Sequence, residues 1–134
     1  MEELRNLYTP ALASLAALAF LYVLQLLVID LAGMRIGHTP GMPIEGSHDH
    51  PMFRAARAHA NTNENFALFI AACLGAVLLG ADPLWTNRLA MAFVAARAVH
   101  MIAYWGDVRL VRSGAFTVGL AATIGLIIAA ARAL

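Results

Sequence analysis

Four apolar segments, each long enough to cross a membrane as a helix, limit what this chain of 134 residues can fold into. They cover residues 10–32, 53–80, 83–105 and 113–133. A bilayer has a hydrocarbon core about 30 Å thick, which a helix of about 20 apolar residues spans. The chain is 61% hydrophobic and 13% charged, whereas soluble domains carry about 25% charged residues. The sequence therefore predicts an all-α integral membrane protein, with one domain over residues 1–134 and four transmembrane helices.

The connections between these segments differ in length and in charge. Residues 33–52 form a long loop rich in Gly and Pro, whereas only a few residues around Asp82 join the second and third segments. Five arginines lie at the end of the bundle that carries the long loop, and three lie at the other end. Cytoplasmic loops carry an excess of positive charge, so we expect the loop 33–52 in the cytoplasm and both termini on the opposite side.

The composition also bears on location and partners. The N-terminus begins acidic, unlike a cleaved signal peptide, and the Ala- and Arg-rich composition favours a bacterial inner membrane. A net charge of +1 without a basic patch argues against binding of nucleic acid. His48, Asp49 and His50 are too few ligands for a metal centre. We therefore predict a solvated loop there and no metal.

The densest polar cluster opens the second segment, in the sequence RAARAHANTNENF. Arg54, Arg57, Asn61 and Glu64 follow helical spacing, which predicts one polar stripe on a helix face, while His59 points elsewhere. The nearby acids are too few to neutralise the arginines at this end. The surplus of guanidinium groups indicates an anionic ligand, although each arginine at the rim can instead contact anionic lipid headgroups.

A second polar cluster lies inside the third segment. Arg97, His100 and Tyr104 share one helix face by their spacing. Arg97 lies about 20 Å along the helix, where an unpaired arginine costs roughly 2.5–3.5 kcal/mol. Glu64 is the acid at comparable depth, so we predict an Arg97–Glu64 contact, either within one chain or across a subunit boundary.

Both clusters resemble the motifs of a known family. The string R-A-H-x-N-x-x-E, from Arg57 through His59 and Asn61 to Glu64, is similar to the second-helix signature of the MAPEG family, the membrane-associated proteins of eicosanoid and glutathione metabolism. The string RAVHMIAY, residues 97–104, is similar to the third-helix motif R-x-x-H-x-x-x-Y. The resemblance implies a homotrimer of four-helix subunits, with a glutathione site at each subunit interface near the cytoplasmic face.

The resemblance also implies roles for individual residues. In the family an arginine stabilises the thiolate of glutathione, in agreement with the effect of a fixed positive charge on a thiol. The nearest match to that catalytic arginine is Arg112, followed by Ser113, with Arg109 as a competitor. The residues expected to bind glutathione are Arg35, Arg54, Arg57, His59, Asn61, Glu64, Arg97 and Tyr104.

Three functions of different classes follow from these observations. The first is a membrane-bound glutathione transferase or peroxidase that acts on a small lipophilic electrophile or hydroperoxide. The second is a non-catalytic membrane protein that binds an anionic lipid or a partner through the same arginines. The third, a small transporter or channel, ranks last because the fourth segment offers only Thr117 and Thr123 to line a pore.

Overall fold

The computed structural model describes residues 2–134, and within that range all regular structure is helical. This confirms the all-α prediction. Helices α2 and α5 are long and apolar enough to cross a membrane by length and composition. The helices are α1 (Glu2–Leu7), α2 (Thr9–Ile36), α3 (Pro51–Leu78), α4 (Pro83–Trp105) and α5 (Arg109–Ala131).

Local sequence explains where the helices begin and end. Prolines open α3 and α4, where the missing N–H breaks no helical hydrogen bond. The Asp82 side chain accepts a hydrogen bond of 2.9 Å from the backbone N–H of Trp85 and so caps α4. Gly37 ends α2 at a φ of 70°, a left-handed conformation that glycine adopts without steric cost.

The last helix starts earlier than its apolar segment. We expected the fourth segment over residues 113–133, but α5 begins at Arg109. Asp107, with a φ of 53°, reverses the chain within a few residues of the end of α4. Consequently Arg112 and Ser113 belong to the first turns of a helix and not to a loop.

The four long helices pack against one another around a core of small and aromatic residues. At its centre, the rings of Phe69 and Phe93 stack with centroids 3.9 Å apart. Buried alanines surround them, and small residues let helices approach closely. Away from the loop 37–50, the hydroxyl of Tyr8 donates to the carbonyl of Ala81 and ties the start of α2 to the α3–α4 turn.

Candidate functional site

A cavity of about 270 Å³ opens between α3, α4 and α5, at the end of the bundle that carries the loop 37–50. Four of the residues predicted from the sequence line this cavity, and they come from three helices: Asn61, Tyr104, Arg112 and Ser113. His100, a buried residue of the third-segment motif that was not predicted to bind the ligand, lines it as well.

Arg112 presents a positive charge to this cavity. Its guanidinium carbon lies 4.4 Å from the centroid of the Tyr104 ring, a cation–π arrangement. One guanidinium nitrogen lies 3.5 Å from Nδ1 of His48. Within residues 2–134 the only ion pair joins Arg5 and Glu2, so no carboxylate of this part of the chain neutralises Arg112.

Arg97 is buried deeper, with 1% of its surface exposed. Its Nη1 donates a hydrogen bond of 2.8 Å to Oδ1 of Asn61. The guanidinium also lies 5.8 Å and 5.9 Å from the ring centroids of Phe93 and Phe116. The predicted contact with Glu64 does not form within the chain, because Asn61 meets the guanidinium and Glu64 is exposed. An Arg97–Glu64 contact between two subunits stays a prediction.

The polar stripe predicted on α3 divides into two. Residues seven apart on a helix differ by about 20° in direction, whereas residues three apart differ by about 60°. Accordingly Arg54 and Asn61 point toward α4, while Arg57 and Glu64 are exposed. The four positions therefore lie within about 80° on one face of α3, as predicted, and two of them, Arg54 and Asn61, bond to α4.

Arg54 is engaged by backbone carbonyls. Its Nε donates to the carbonyl of Trp105 at 3.2 Å. Its Nη1 donates to the carbonyls of His48 at 2.6 Å and Asp49 at 3.2 Å. These bonds join the long loop to the start of α3 and the end of α4, so Arg54 fixes the loop against these two helices.

The loop brings His48 into the site. The His48 ring lies edge-on to Phe53, with centroids 5.4 Å apart, and 5.8 Å from the ring of Tyr104. The prediction of a solvated loop was therefore wrong for His48, whereas His50 is exposed. A loop rich in Gly and Pro has no helical or strand periodicity, so no spacing in the sequence indicates which side chain turns inward.

The remaining predicted residues do not line the cavity. His59 faces α2, with its ring centroid 4.6 Å from that of Tyr22. Arg35, in the last turn of α2, and Arg109, at the start of α5, are both exposed. They lie at the same end of the bundle as the cavity, and together with Arg57 they leave several guanidinium groups at its surface.

Comparison with known proteins identifies a family. The family model described as the MAPEG family matches residues 8–132 of the 134-residue chain. The matched range contains the four long helices and every residue that lines the cavity. Comparison with curated proteins gave no match. Because the family match covers nearly the whole chain, the protein belongs to the MAPEG family of membrane proteins.

Proposed function

We propose that this protein is a membrane-bound glutathione transferase or peroxidase in which Arg112 stabilises the thiolate. Membership of the family supports a membrane glutathione-related transferase or a related function in general. The observation that carries the specific proposal is the charge of Arg112, which no carboxylate of residues 2–134 neutralises and which faces a cavity between three helices.

The chemistry follows from that charge. A free thiol has a pKa of about 8.5 and is mostly protonated at neutral pH, but a nearby fixed positive charge favours the thiolate. The thiol proton leaves to water and the sulfur stays beside the guanidinium. Ser113, the next residue on α5 and also at the cavity, has a hydroxyl that can donate to the sulfur. The thiolate then forms a bond to an electrophilic carbon and displaces a leaving group, which departs as an anion. With a hydroperoxide, the thiolate attacks the O–O bond, the alcohol is released, and the resulting sulfenic acid is reduced by a second glutathione to the disulfide and water.

The exposed polar residues of α3 support a homotrimer with the ligand between subunits. Arg57 and Glu64 lie on the outer surface of a single subunit, and charged residues that face lipid are costly. A second copy that covers this face would remove both from lipid. Arg57, Glu64 and Arg35 would then hold the charged ends of glutathione. Asn61 and Tyr104 would border it from within the subunit, and Arg97 would hold Asn61 in place from behind.

Two residues have supporting parts in this proposal. Arg54 holds the loop with two of its nitrogens and has Nη2 free of hydrogen bonds within residues 2–134, so it can still donate to a carboxylate. His59 packs on α2 and supports the shape of α3. The proposal includes four transmembrane helices in a bacterial inner membrane, with the loop 37–50 on the cytoplasmic side and both termini on the other side.

Calorimetry of glutathione binding in detergent, combined with ultraviolet absorbance of the thiolate, tests the proposal. We expect Arg112→Ala to bind glutathione without forming the thiolate, and Arg57→Ala to lose binding. Arg109→Ala is the matched control, because Arg109 is exposed and lies outside the cavity, and it should retain both signals. Loss of the thiolate in Arg109→Ala but not in Arg112→Ala would reverse the assignment. Absence of binding at millimolar glutathione would refute the proposed ligand and favour the non-catalytic, anion-binding alternative.

A further inference from the structure

A second cavity lies at the opposite end of the bundle from Arg112. It has a volume of about 510 Å³ and is formed by the α3–α4 turn, the start of α4 and the end of α5. Ligand pockets in proteins commonly measure 300–1,000 Å³. Its walls are mostly apolar, and Leu89 and Gly125 meet there: a Cβ at Gly125 would lie only 3.0 Å from two carbons of Leu89.

Two opposite charges stand at this cavity without pairing. Asp82 and Arg132 both line it and both are exposed, yet within residues 2–134 they form no ion pair. One oxygen of Asp82 caps α4 through the N–H of Trp85, and the other makes no hydrogen bond in that part of the chain. Separate, unpaired charges of opposite sign match a ligand that itself carries a separated cation and anion.

An exposed tryptophan at this cavity favours a position at the level of lipid headgroups. Trp85 lines the cavity and is 58% exposed, and tryptophan is enriched at the membrane–water interface. The apolar walls continue along α5, where Ile128 is also exposed. A ligand here meets charged groups at one end and hydrocarbon at the other.

We propose that this cavity binds a zwitterionic phospholipid with a primary amine, a phosphatidylethanolamine. Arg132 binds the phosphate, the ammonium group donates to Asp82 beside the ring of Trp85, and an acyl chain lies along Leu89 and Ile128. Charge-assisted hydrogen bonds are about twice as strong as neutral ones. A choline headgroup keeps the positive charge but has no N–H to donate, and an anionic lipid without an amine offers its phosphate to Arg132 but no cation to Asp82.

Competition binding to the purified, delipidated protein in detergent tests the proposal, with three lipids of identical acyl chains that carry ethanolamine, choline or glycerol headgroups. We expect the ethanolamine lipid to bind about tenfold more tightly than the choline lipid, as one hydrogen bond to a charged group allows. Glycerophosphoethanolamine, which has no acyl chains, should bind far more weakly. Equal binding of this soluble headgroup would overturn the assignment to a lipid.

Substitutions of Asp82 and Arg132 test the contribution of each charge separately. Asp82→Asn keeps a good helix cap but removes the carboxylate, so the preference for ethanolamine over choline should disappear. Arg132→Gln should weaken binding of all three lipids. Arg88→Gln is the matched control, because Arg88 is an exposed arginine near the start of α4 that does not line the cavity, and it should bind as the unaltered protein does.

Two results would refute the proposal. One is equal binding of the three lipids, or a preference for the anionic one, by the unaltered protein. The other is an unchanged ethanolamine preference in Asp82→Asn. Thermal unfolding of each variant shows whether it is folded. Because the cavity lies at the other end of the bundle from Arg112, this proposal stands or falls independently of glutathione binding.

Discussion

Replacing Asn61 with Ala tests a hydrogen bond that joins α3 to the buried Arg97 of α4. Oδ1 of Asn61 is the hydrogen-bond acceptor for Arg97, which is 1% exposed, and Nε of Arg97 already lacks a partner. In Asn61→Ala the guanidinium would lose its acceptor while it stays buried. Only the rings of Phe93 and Phe116 would remain beside it.

The size of the effect follows from these contacts. A hydrogen bond to a charged group contributes about 1.5–3 kcal/mol, and an uncompensated buried charge costs about 3–5 kcal/mol. The two rings retain part of the stabilisation through cation–π contacts of about 0.5–2 kcal/mol. We therefore expect Asn61→Ala to lower the free energy of unfolding by about 2–3 kcal/mol. At roughly 4 °C per kcal/mol for a chain of this length, the melting temperature should fall by about 8–12 °C.

Thermal unfolding in one detergent, at fixed protein concentration, measures this. Arg97→Met combined with Asn61→Ala should be more stable than Asn61→Ala alone, because the double variant buries no unpaired charge. A fall of less than about 2 °C in Asn61→Ala, corresponding to about 0.5 kcal/mol, would refute the reasoning. Glu64→Gln tests the predicted contact between Glu64 of one subunit and Arg97 of another. A loss of stability that depends on protein concentration would support this contact, and an unchanged stability would exclude it.

Three further predictions concern the loop and the opposite end. His48→Ala removes the ring beside Arg112, so thiolate absorbance should fall while glutathione affinity changes less than threefold, or about 0.7 kcal/mol; equal loss of both would contradict this. Arg54→Gln should speed limited proteolysis of the loop 37–50, and an unchanged rate would show that Arg54 does not hold it. Burial, and secondarily the carboxylate of Asp82, raise the pKa of Tyr8. That contribution to stability is present below about pH 10 and lost as the pH rises further. Above that pH, the free energy of unfolding should fall less steeply with pH in Tyr8→Phe than in the unaltered protein. The same pH dependence in both proteins would refute this prediction.

The helices could be predicted from the sequence where the signals are local. The third segment was predicted from Pro83, where α4 begins, and apolar length gave the approximate extents, although α3 begins at Pro51, two residues before the predicted segment. The start of α5 could not be predicted from apolarity, because Arg109 and Arg112 are polar residues of a helix that begins outside the apolar segment. The start of α5 depends on backbone geometry, here the turn at Asp107, and the hydropathy of the sequence carries no information about that turn.

The candidate site could be predicted only as far as a single helix extends. The spacing of His100 and Tyr104 on α4 correctly placed both on one face, and both line the cavity. Spacing on α3 could not say which of two directions 60° apart faces α4, since that depends on how the helices pack. His48 was missed for a different reason: its position depends on the bonds from Arg54 to loop carbonyls, which join residues without periodic relation.

The arginines differ in how many of their hydrogen-bond donors are used by other groups of the chain, and this determines which of them can bind a ligand. Arg54 is engaged by three carbonyls and Arg97 by Asn61, so much of their hydrogen-bonding capacity serves the fold. Arg35 and Arg57 are exposed and make no hydrogen bond within residues 2–134, and Arg112 makes one long contact with a ring nitrogen. A ligand carboxylate or thiolate gains most from donors that are not already used. The chain therefore contains arginines of two kinds: those whose hydrogen bonds hold the fold around the cavity, and those that remain free to hold an anion beside it.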